Sequence, residues 1–229
     1  MGCARVNMKI LGIMILLSVA AHAQNWANTT KYSAENQLLS SVKSDNRIVL
    51  MGDSITEFWK QRDPAFFEDK PYLLNRGIGG QTTPQMLARF DQDVIALGPN
   101  VVVILAGTND IAGNTGPISI DGIMENLIQM AERAANHQIK VVMCTLLPAA
   151  AFPWNPSVNP TEKIIALNKK IKAYARKKGI VCADYFAVMA DQDHRLKKEY
   201  SGDGVHPNKK GYKAMEPVLQ AALQQTHLR

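Results

Sequence analysis

The sequence predicts an α/β domain in which a parallel sheet carries helices on both of its faces. Five short apolar runs do not alternate with polar residues, which is typical of strands that are buried on both faces of a parallel sheet. Stretches with helical patterns separate these runs, and this alternation indicates helices packed on both sides of the sheet. A chain of 229 residues, 46% apolar and 20% charged, suits one medium-sized globular domain.

The five predicted strands are short and end at residues that favour turns. They cover residues 47–51, 72–75, 100–106, 140–147 and 179–183. Gly52, Gly107 and Pro148 follow three of them, and glycine and proline are frequent where a chain turns.

Four longer helices are predicted between and after the strands. They cover residues 84–97, 119–136, 161–178 and 207 to about 225. The third has a sensible start and stop, because Thr161 follows a proline and Gly179 comes after its last residue. The loop 148–160 contains four prolines and Trp154, and long ordered loops at strand ends often shape binding sites.

Residues 1–23 have the pattern of a secretory signal peptide. Arg5 and Lys9 precede an apolar run, and Ala21-His22-Ala23 forms a small-x-small cleavage site. The run is shorter than the ~20 residues that a bilayer span needs; a retained N-terminal anchor is the alternative. We therefore expect residues 24–229 to form the single mature domain, exported to the periplasm or the medium, with no stable membrane span.

The net charge and the distribution of basic residues bear on whether the protein binds nucleic acid. Loss of the signal peptide removes two basic residues and no acidic one, so the formal net charge falls from +6 to +4. The remaining lysines are dispersed in pairs such as Lys169-Lys170, so no nucleic-acid surface is predicted.

Cys144 and Cys182 lie in strand-like runs, where we expect free, buried thiols, with a disulfide as the alternative. The oligomeric state stays open.

Polar residues follow the ends of the predicted strands. Gly52-Asp53-Ser54 follows the first strand, Gly79-Gly80 the second and residues 107–110, Gly-Thr-Asn-Asp, the third. Residues 203–206, Asp-Gly-Val-His, lie near the C-terminus. Ligands of open parallel sheets bind outside the carboxyl ends of the strands, so these four segments should converge on one edge.

The four segments contain the parts of a serine nucleophile site. A serine hydroxyl is a weak nucleophile until a base takes its proton, and that base needs a third group to orient it. His206 suits the role of base for Ser54, and Asp203 can orient the imidazole from its other nitrogen. The backbone N–H groups of Ser54 and Gly80 and the side-chain amide of Asn109 suit an oxyanion hole for acyl transfer.

Together these segments resemble the conserved blocks of the SGNH, or GDSL-like, hydrolases. Gly52-Asp53-Ser54-Ile55 is similar to the first block, residues 75–80 to the second, residues 107–110 to the third and residues 203–207 to the last. The resemblance extends from about residue 47 to the C-terminus. It implies a flavodoxin-like, three-layer α/β/α sandwich with a central parallel sheet of about five strands. It also implies ester hydrolysis through an acyl-enzyme, without a metal or a cofactor.

Some details refine this resemblance. Ile55 and Thr56 after the serine resemble the branch of platelet-activating-factor acetylhydrolase-like esterases. Gly80 matches the oxyanion glycine of the family better than Gly79 does. We interpret Asp53 as support for the nucleophile turn, and Asp110 as a structural residue.

Two other patterns in the sequence carry no predicted function. Residues 191–194, Asp-Gln-Asp-His, fit no zinc or calcium spacing, so no metal site is predicted. Residues 77–80 lack the full spacing of a dinucleotide-binding turn. The Gly-x-Ser-x-Gly elbow of the α/β-hydrolase fold is absent from the sequence.

The sequence therefore predicts a secreted serine carboxylesterase that removes small acyl groups, acetyl above all, from a small-molecule or glycan ester. Export and the ring of Trp154, which could pack on a sugar, favour a carbohydrate substrate. A lipase, a lysophospholipase or an acyltransferase with the same triad is the nearest alternative. A catalytically silent glycan-binding protein is another, although it would have no need for the complete set of site residues.

Overall fold

A five-stranded parallel sheet forms the centre of the molecule, whose computed structural model describes residues 26–42, 44 and 46–226. The strands are β1 (Ile48–Gly52), β2 (Leu73–Gly77), β3 (Val101–Leu105), β4 (Lys140–Cys144) and β5 (Val181–Ala183). Their order across the sheet is β2-β1-β3-β4-β5, and every neighbouring pair is parallel. The chain adds β2 on one side of β1 and then adds β3, β4 and β5 on the other side. Such a change in the order of strand addition opens a crevice between β1 and β3 at the carboxyl ends of the strands.

Helices follow the strands along the chain. The α-helices with described bounds are α1 (Ser33–Ser40), α2 (Ser54–Arg62), α3 (Ala65–Glu68), α4 (Thr83–Asp93), α5 (Thr108–Ile111), α6 (Ile120–Asn136), α7 (Thr161–Lys178), α8 (Tyr185–Met189) and α9 (Lys209–Gln225). Short 3₁₀ helices cover Ile95–Leu97 and Lys198–Tyr200.

The helices form two layers because successive strand side chains point to opposite faces. Val49 and Met51 of β1 belong to a core shared with α4, α6 and α7. Ile48 and Leu50 of the same strand belong to a second core, shared with α2, α3, α8 and α9. The predicted three-layer α/β/α sandwich is therefore confirmed, and the continuous apolar runs reflect burial on both faces.

The predicted bounds agree best with the observed ones for the long helix α7, where the helical pattern of the sequence extends over the most residues. The predicted bounds of α7 are those observed, and its C-terminal residue is followed by Gly179 in the left-handed conformation (φ +67°). The predicted helix 84–97 instead divides into α4 and a 3₁₀ turn. The second strand lies later than predicted, at Leu73–Gly77, because this edge strand includes the polar residues Asn75 and Arg76.

The N-terminal prediction falls outside the described part of the chain, since residues 1–25 are not among the described residues. Within the described part, no helix combines the length and the apolar character needed to cross a bilayer. Cys144 and Cys182 are both free; the first is buried and the second partly buried.

Candidate active site

The carboxyl ends of β1, β2 and β3 bring three of the predicted segments together. Gly52 lies opposite Gly77 on one side and Leu105 on the other, so the three strands end at the same level. Ser54, the Gly79–Gly80 loop and Asn109 of α5 therefore follow the same edge of the sheet, and a Cβ at Gly79 would lie 3.7 Å from the Ser54 Cβ.

Ser54 is the first residue of α2, where a sharp turn follows β1. Asp53 caps the helix, since its Oδ1 accepts the Ile55 N–H at 2.9 Å. Ser54 is 7% exposed. Gly52 is required at the strand end, because a Cβ there would lie 2.1 Å from Thr56 Oγ1.

A hydrogen-bonded chain connects Ser54 to His206 and Asp203. Ser54 Oγ lies 2.9 Å from His206 Nε2, and His206 Nδ1 lies 2.7 Å from Asp203 Oδ2. An ionised carboxylate only accepts hydrogen bonds, so Nδ1 carries the proton and Nε2 accepts from the serine hydroxyl. This is the arrangement that a serine nucleophile with its base requires.

The turn that carries Asp203 and His206 is held by its own hydrogen bonds. Asp203 Oδ1 accepts the backbone N–H groups of Val205 (2.9 Å) and His206 (2.8 Å), and Gly204 supplies a left-handed backbone (φ +77°). Partial burial acts to raise the pKa of Asp203. The hydrogen bonds donated by His206 and Val205 outweigh that effect and hold its pKa well below the usual range.

Gly79 and Gly80 differ in whether the described residues supply an acceptor for the backbone N–H group. The Gly79 N–H donates to Glu57 Oε2 at 2.6 Å, so it is already occupied. Gly80 has a left-handed backbone (φ +75°) and is exposed, and no acceptor for its N–H lies among the described residues. The Gly80 N–H is therefore free to donate to a ligand and the Gly79 N–H is not; the role of Gly80 as oxyanion donor stays a prediction.

Asn109 lies in α5, directly after β3, and is 3% exposed. Its Nδ2 donates to the Gln81 carbonyl at 3.0 Å. An amide nitrogen has two hydrogens, and the described residues supply this one acceptor, so the second hydrogen is available to a ligand.

Two aromatic rings flank His206. The ring centroid of Phe58 lies 5.5 Å from the imidazole centroid, and that of Trp154 lies 5.9 Å away. Trp154 stacks on buried Phe152 at 5.1 Å and keeps 43% of its surface exposed. The loop 148–160 therefore places an aromatic ring beside His206.

A family model for the GDSL-like lipase/acylhydrolase family matches residues 50–214, which include all four segments. The chain belongs to this family. The resemblance to SGNH hydrolases is thereby confirmed, and the family is one of ester hydrolases.

Solved structures of this acylhydrolase family have the same fold. A proposed acylhydrolase of Bacteroides fragilis is 45% identical, with a TM-score of 0.85 over 89% of this chain and 99% of that one. A GDSL-like lipase of Bacteroides thetaiotaomicron is 42% identical, with a TM-score of 0.83 over 87% of this chain and 98% of that one.

Among curated relatives, an acetylxylan esterase of Xylanibacter ruminicola is 26% identical over 212 residues. The aligned part is 77% of this chain and 43% of that protein. This GDSL-like chain thus spans less than half the length of the curated relatives that it matches.

Two buried acidic residues, Asp53 and Asp110, lie next to the residues of the site. Burial raises the pKa of Asp53 to about 7, an effect that the Ile55 N–H opposes and nearby Asp110 reinforces. Burial also raises the pKa of Asp110, while hydrogen bonds from the backbone and hydroxyl of Thr83 oppose it. Through those bonds (2.5–3.0 Å) Asp110 holds the start of α4.

Residues 191–194 form a turn of their own, which is closed by local hydrogen bonds. Asp191 closes its own turn by accepting the N–H groups of Asp193 and Arg195, both at 2.9 Å. Within the described ranges, no group of three or more His, Cys, Asp or Glu side chains is placed to hold a metal ion.

The structure adds three residues that the sequence analysis did not identify: Glu57, Phe58 and Asn114. Glu57 and Phe58 follow the serine by about one turn on α2, so they lie near it once that segment is helical. Asn114 has no comparable signal, because its position depends on how the turn after α5 packs.

Proposed function

We propose that this chain is an exported serine carboxylesterase that removes small acyl groups, acetyl above all, from a carbohydrate. The observation that carries the proposal is the hydrogen-bonded chain from Ser54 through His206 to Asp203. Membership of an acylhydrolase family supports the reaction class.

The reaction divides into acylation and deacylation. His206 Nε2 takes the proton of Ser54 Oγ as the oxygen attacks the ester carbonyl, and Asp203 stabilises the imidazolium that forms. The resulting oxyanion accepts hydrogen bonds from the N–H groups of Ser54 and Gly80 and from the Asn109 amide. Collapse releases the alcohol, which takes the proton from His206. Water then attacks the acyl-enzyme by the same route and releases the acid.

Two observations support a carbohydrate as the alcohol portion. Trp154 presents a partly exposed ring beside His206, and aromatic rings pack on apolar sugar faces. An acetylxylan esterase is among the curated relatives. An apolar cavity of about 410 Å³ lies near Ile48 and Leu73, at the opposite ends of the strands from Ser54, so it does not serve as a groove for a long acyl chain.

The decisive experiment compares hydrolysis of p-nitrophenyl acetate, butyrate and octanoate by residues 24–229 and by Ser54→Ala. We expect acetate to be cleaved fastest and Ser54→Ala to lose at least ~10³-fold in kcat. Ser157→Ala, which changes an exposed serine on the loop beside Trp154, is the matched control and should keep full activity. Equal activity of native and Ser54→Ala chains would reject the proposal. Preference for octanoate would favour a lipase.

Acetylated xylo-oligosaccharides are the next substrates. If Trp154 packs on the sugar, Trp154→Ala should raise KM for these substrates more than KM for p-nitrophenyl acetate, with little loss of stability. An unchanged ratio of the two KM values would count against this part of the proposal.

Export is also part of the proposal and rests on the composition of residues 1–23. Fractionation of cells that express the full chain, with N-terminal sequencing of the product, is the test. We expect a mature chain that begins at Gln24 outside the cytoplasm; an unprocessed chain would contradict this.

A further inference from the structure

Asn114 connects the residues of the proposed oxyanion hole to Trp154. It lies on the turn after α5, exposed at the rim of the site. Its Nδ2 donates to Asn109 Oδ1 at 3.0 Å and to the Gly80 carbonyl at 3.1 Å. Its Oδ1 accepts the indole N–H of Trp154 at 3.1 Å.

These contacts determine which way both side-chain amides point. An indole nitrogen can only donate, so the Asn114 oxygen must face Trp154 and its nitrogen must face Asn109. The Asn109 oxygen is thereby occupied, and its nitrogen is turned toward the Gln81 carbonyl, with one of its two hydrogens left for another acceptor. A rotation of either amide by half a turn would place two oxygens, or two N–H groups, against each other.

We propose that Asn114 is a positioning residue of the oxyanion hole and that it couples the hole to Trp154. It acts by holding the Asn109 amide with an N–H toward the developing oxyanion, and by holding the Gly80 carbonyl, which fixes the peptide that follows Gly80. Preorganised donors stabilise a transition state because they need not reorient during the reaction. This inference rests on the proposed function, since it assigns a role within the same site.

The coupling gives Asn114 a role in specificity. A substrate whose alcohol portion packs on Trp154 restrains the indole, and the indole N–H in turn restrains Asn114. Such a substrate should have a higher kcat as well as a lower KM than one that does not contact Trp154. Trp154→Phe keeps an aromatic surface and removes the N–H donor, so it should lower kcat by a few-fold where the ring contact itself is retained.

The first test compares Asn114→Ala with Asn155→Ala. Asn155 belongs to the loop of Trp154 and donates to the Ala112 carbonyl at 2.8 Å, so it joins the same two segments without contacting Asn109 or Gly80. We expect Asn114→Ala to lower kcat for p-nitrophenyl acetate by about tenfold, with KM within about twofold and an unchanged melting temperature. Asn155→Ala should keep its kcat. Equal kcat values for the two variants would overturn the proposal.

Asn114→Asp separates positioning from simple loss of packing. The carboxylate has the shape of the amide and still accepts from Trp154, but it repels the Asn109 and Gly80 oxygens and the oxyanion. We expect a kcat lower than that of Asn114→Ala, by a further factor of about ten. A kcat at or above that of Asn114→Ala would show that filling the space matters and positioning does not.

A double-mutant cycle tests whether Asn114 acts through Asn109. In the Asn109→Ala background, Asn114→Ala should cost clearly less than tenfold in kcat, because the amide that it orients is gone. The same tenfold loss in both backgrounds would mean independent action and would reject the proposed route.

Labelling with diethyl p-nitrophenyl phosphate distinguishes this inference from the proposed function. Ser54 Oγ forms a bond to phosphorus, its proton goes to His206, nitrophenolate leaves, and the phosphoryl oxygen occupies the oxyanion hole. We expect one equivalent of nitrophenolate from the native chain, none from Ser54→Ala, and release about tenfold slower from Asn114→Ala. Equal rates of nitrophenolate release from the native chain and from Asn114→Ala would overturn the role of Asn114 but leave the proposed function in place. No release from the native chain, together with no ester hydrolysis, overturns the proposed function and this role with it.

Discussion

Glu57 joins the helix of the proposed nucleophile to the loop of Gly80. One carboxylate oxygen accepts the Gly79 N–H at 2.6 Å, and the other pairs with Lys31. The Gly79 N–H belongs to the peptide between Ile78 and Gly79, so loss of the carboxylate frees that peptide to rotate and loosens the loop of Gly80. We therefore expect Glu57→Ala to lower kcat for p-nitrophenyl acetate by about tenfold.

Glu57→Gln provides the rescue, because an amide oxygen can still accept the Gly79 N–H; it should keep most of the activity. Glu132→Ala removes a different surface glutamate that is paired with Lys178 and should leave kcat unchanged. If Glu57→Gln were as impaired as Glu57→Ala, charge would matter more than the orientation of the loop.

Asp203 is the second residue whose role can be tested by an isosteric change. Its lowered pKa keeps it ionised throughout the range in which an esterase works. Asp203→Asn removes the charge that stabilises the imidazolium and permits the wrong tautomer of His206, so kcat should fall by roughly 10³–10⁴. Asp191→Asn makes the same chemical change in a distant turn and should be active. A loss below about tenfold would show that Asp203 only supports its turn.

Site residues that belong to a short motif could be identified from the sequence. Residues that contribute only through packing between segments could not. Ser54, Gly80, Asn109, Asp203 and His206 were named because each belongs to a short segment with a recognisable order. The catalytic roles assigned to them stay predictions until the variants are measured. Glu57 and Asn114 act through contacts between segments, and such contacts leave no local pattern.

Gly77, at the end of β2, allows α2 to approach the sheet. A Cβ at this position would lie 2.2 Å from the Glu57 backbone nitrogen and 2.8 Å from the Asp53 carbonyl oxygen. Both are backbone atoms, so the helix itself would have to move. We expect Gly77→Ala to lower the free energy of unfolding by about 1–3 kcal/mol and to displace Ser54, which reduces kcat as well.

Gly202→Ala is the matched control for this close approach. Gly202 also lies near the site, but a Cβ there meets no atom within 4 Å. Its stability in urea and its kcat should both equal those of the native chain. Equal stability of Gly77→Ala and native protein would show that α2 can shift at little cost.

Element prediction succeeded where burial alone determines the pattern. β1 and β3 are apolar along their whole length because helices cover both faces, and α7 is long enough to show its ends. The helix α2 was not predicted, because its nine residues include the motif, two aromatic rings and three charged side chains. Edge strand β2 was placed too early because Arg76, although polar, is buried against Asn36 of α1.

At the scale of the whole molecule, a buried polar network connects the site to the rest of the fold. Arg89 of α4 donates to the Gly52 carbonyl at 3.1 Å, to Gln81 Oε1 at 2.6 Å and to Asp93 Oδ2 at 2.9 Å. These bonds connect the end of β1, the loop that carries Gln81 and helix α4. A buried arginine needs such a set of acceptors, and no sequence pattern indicated that it would be found here.

Asp53 should make the stability of the molecule depend on pH. Its pKa is raised to about 7 by burial, against ~3.9 in an unfolded chain. Between these values the folded state keeps a proton that the unfolded state has lost, so stability falls as pH rises from about 4 to about 7. Asp53→Asn keeps an acceptor for the Ile55 N–H and cannot ionise. In urea unfolding it should match native protein at pH 4 and exceed it at pH 8 by on the order of 1–4 kcal/mol. Asp91→Asn, at an exposed pair with Arg133, should show no such divergence; a constant difference between Asp53→Asn and native protein at both pH values would mean that Asp53 does not titrate in this range.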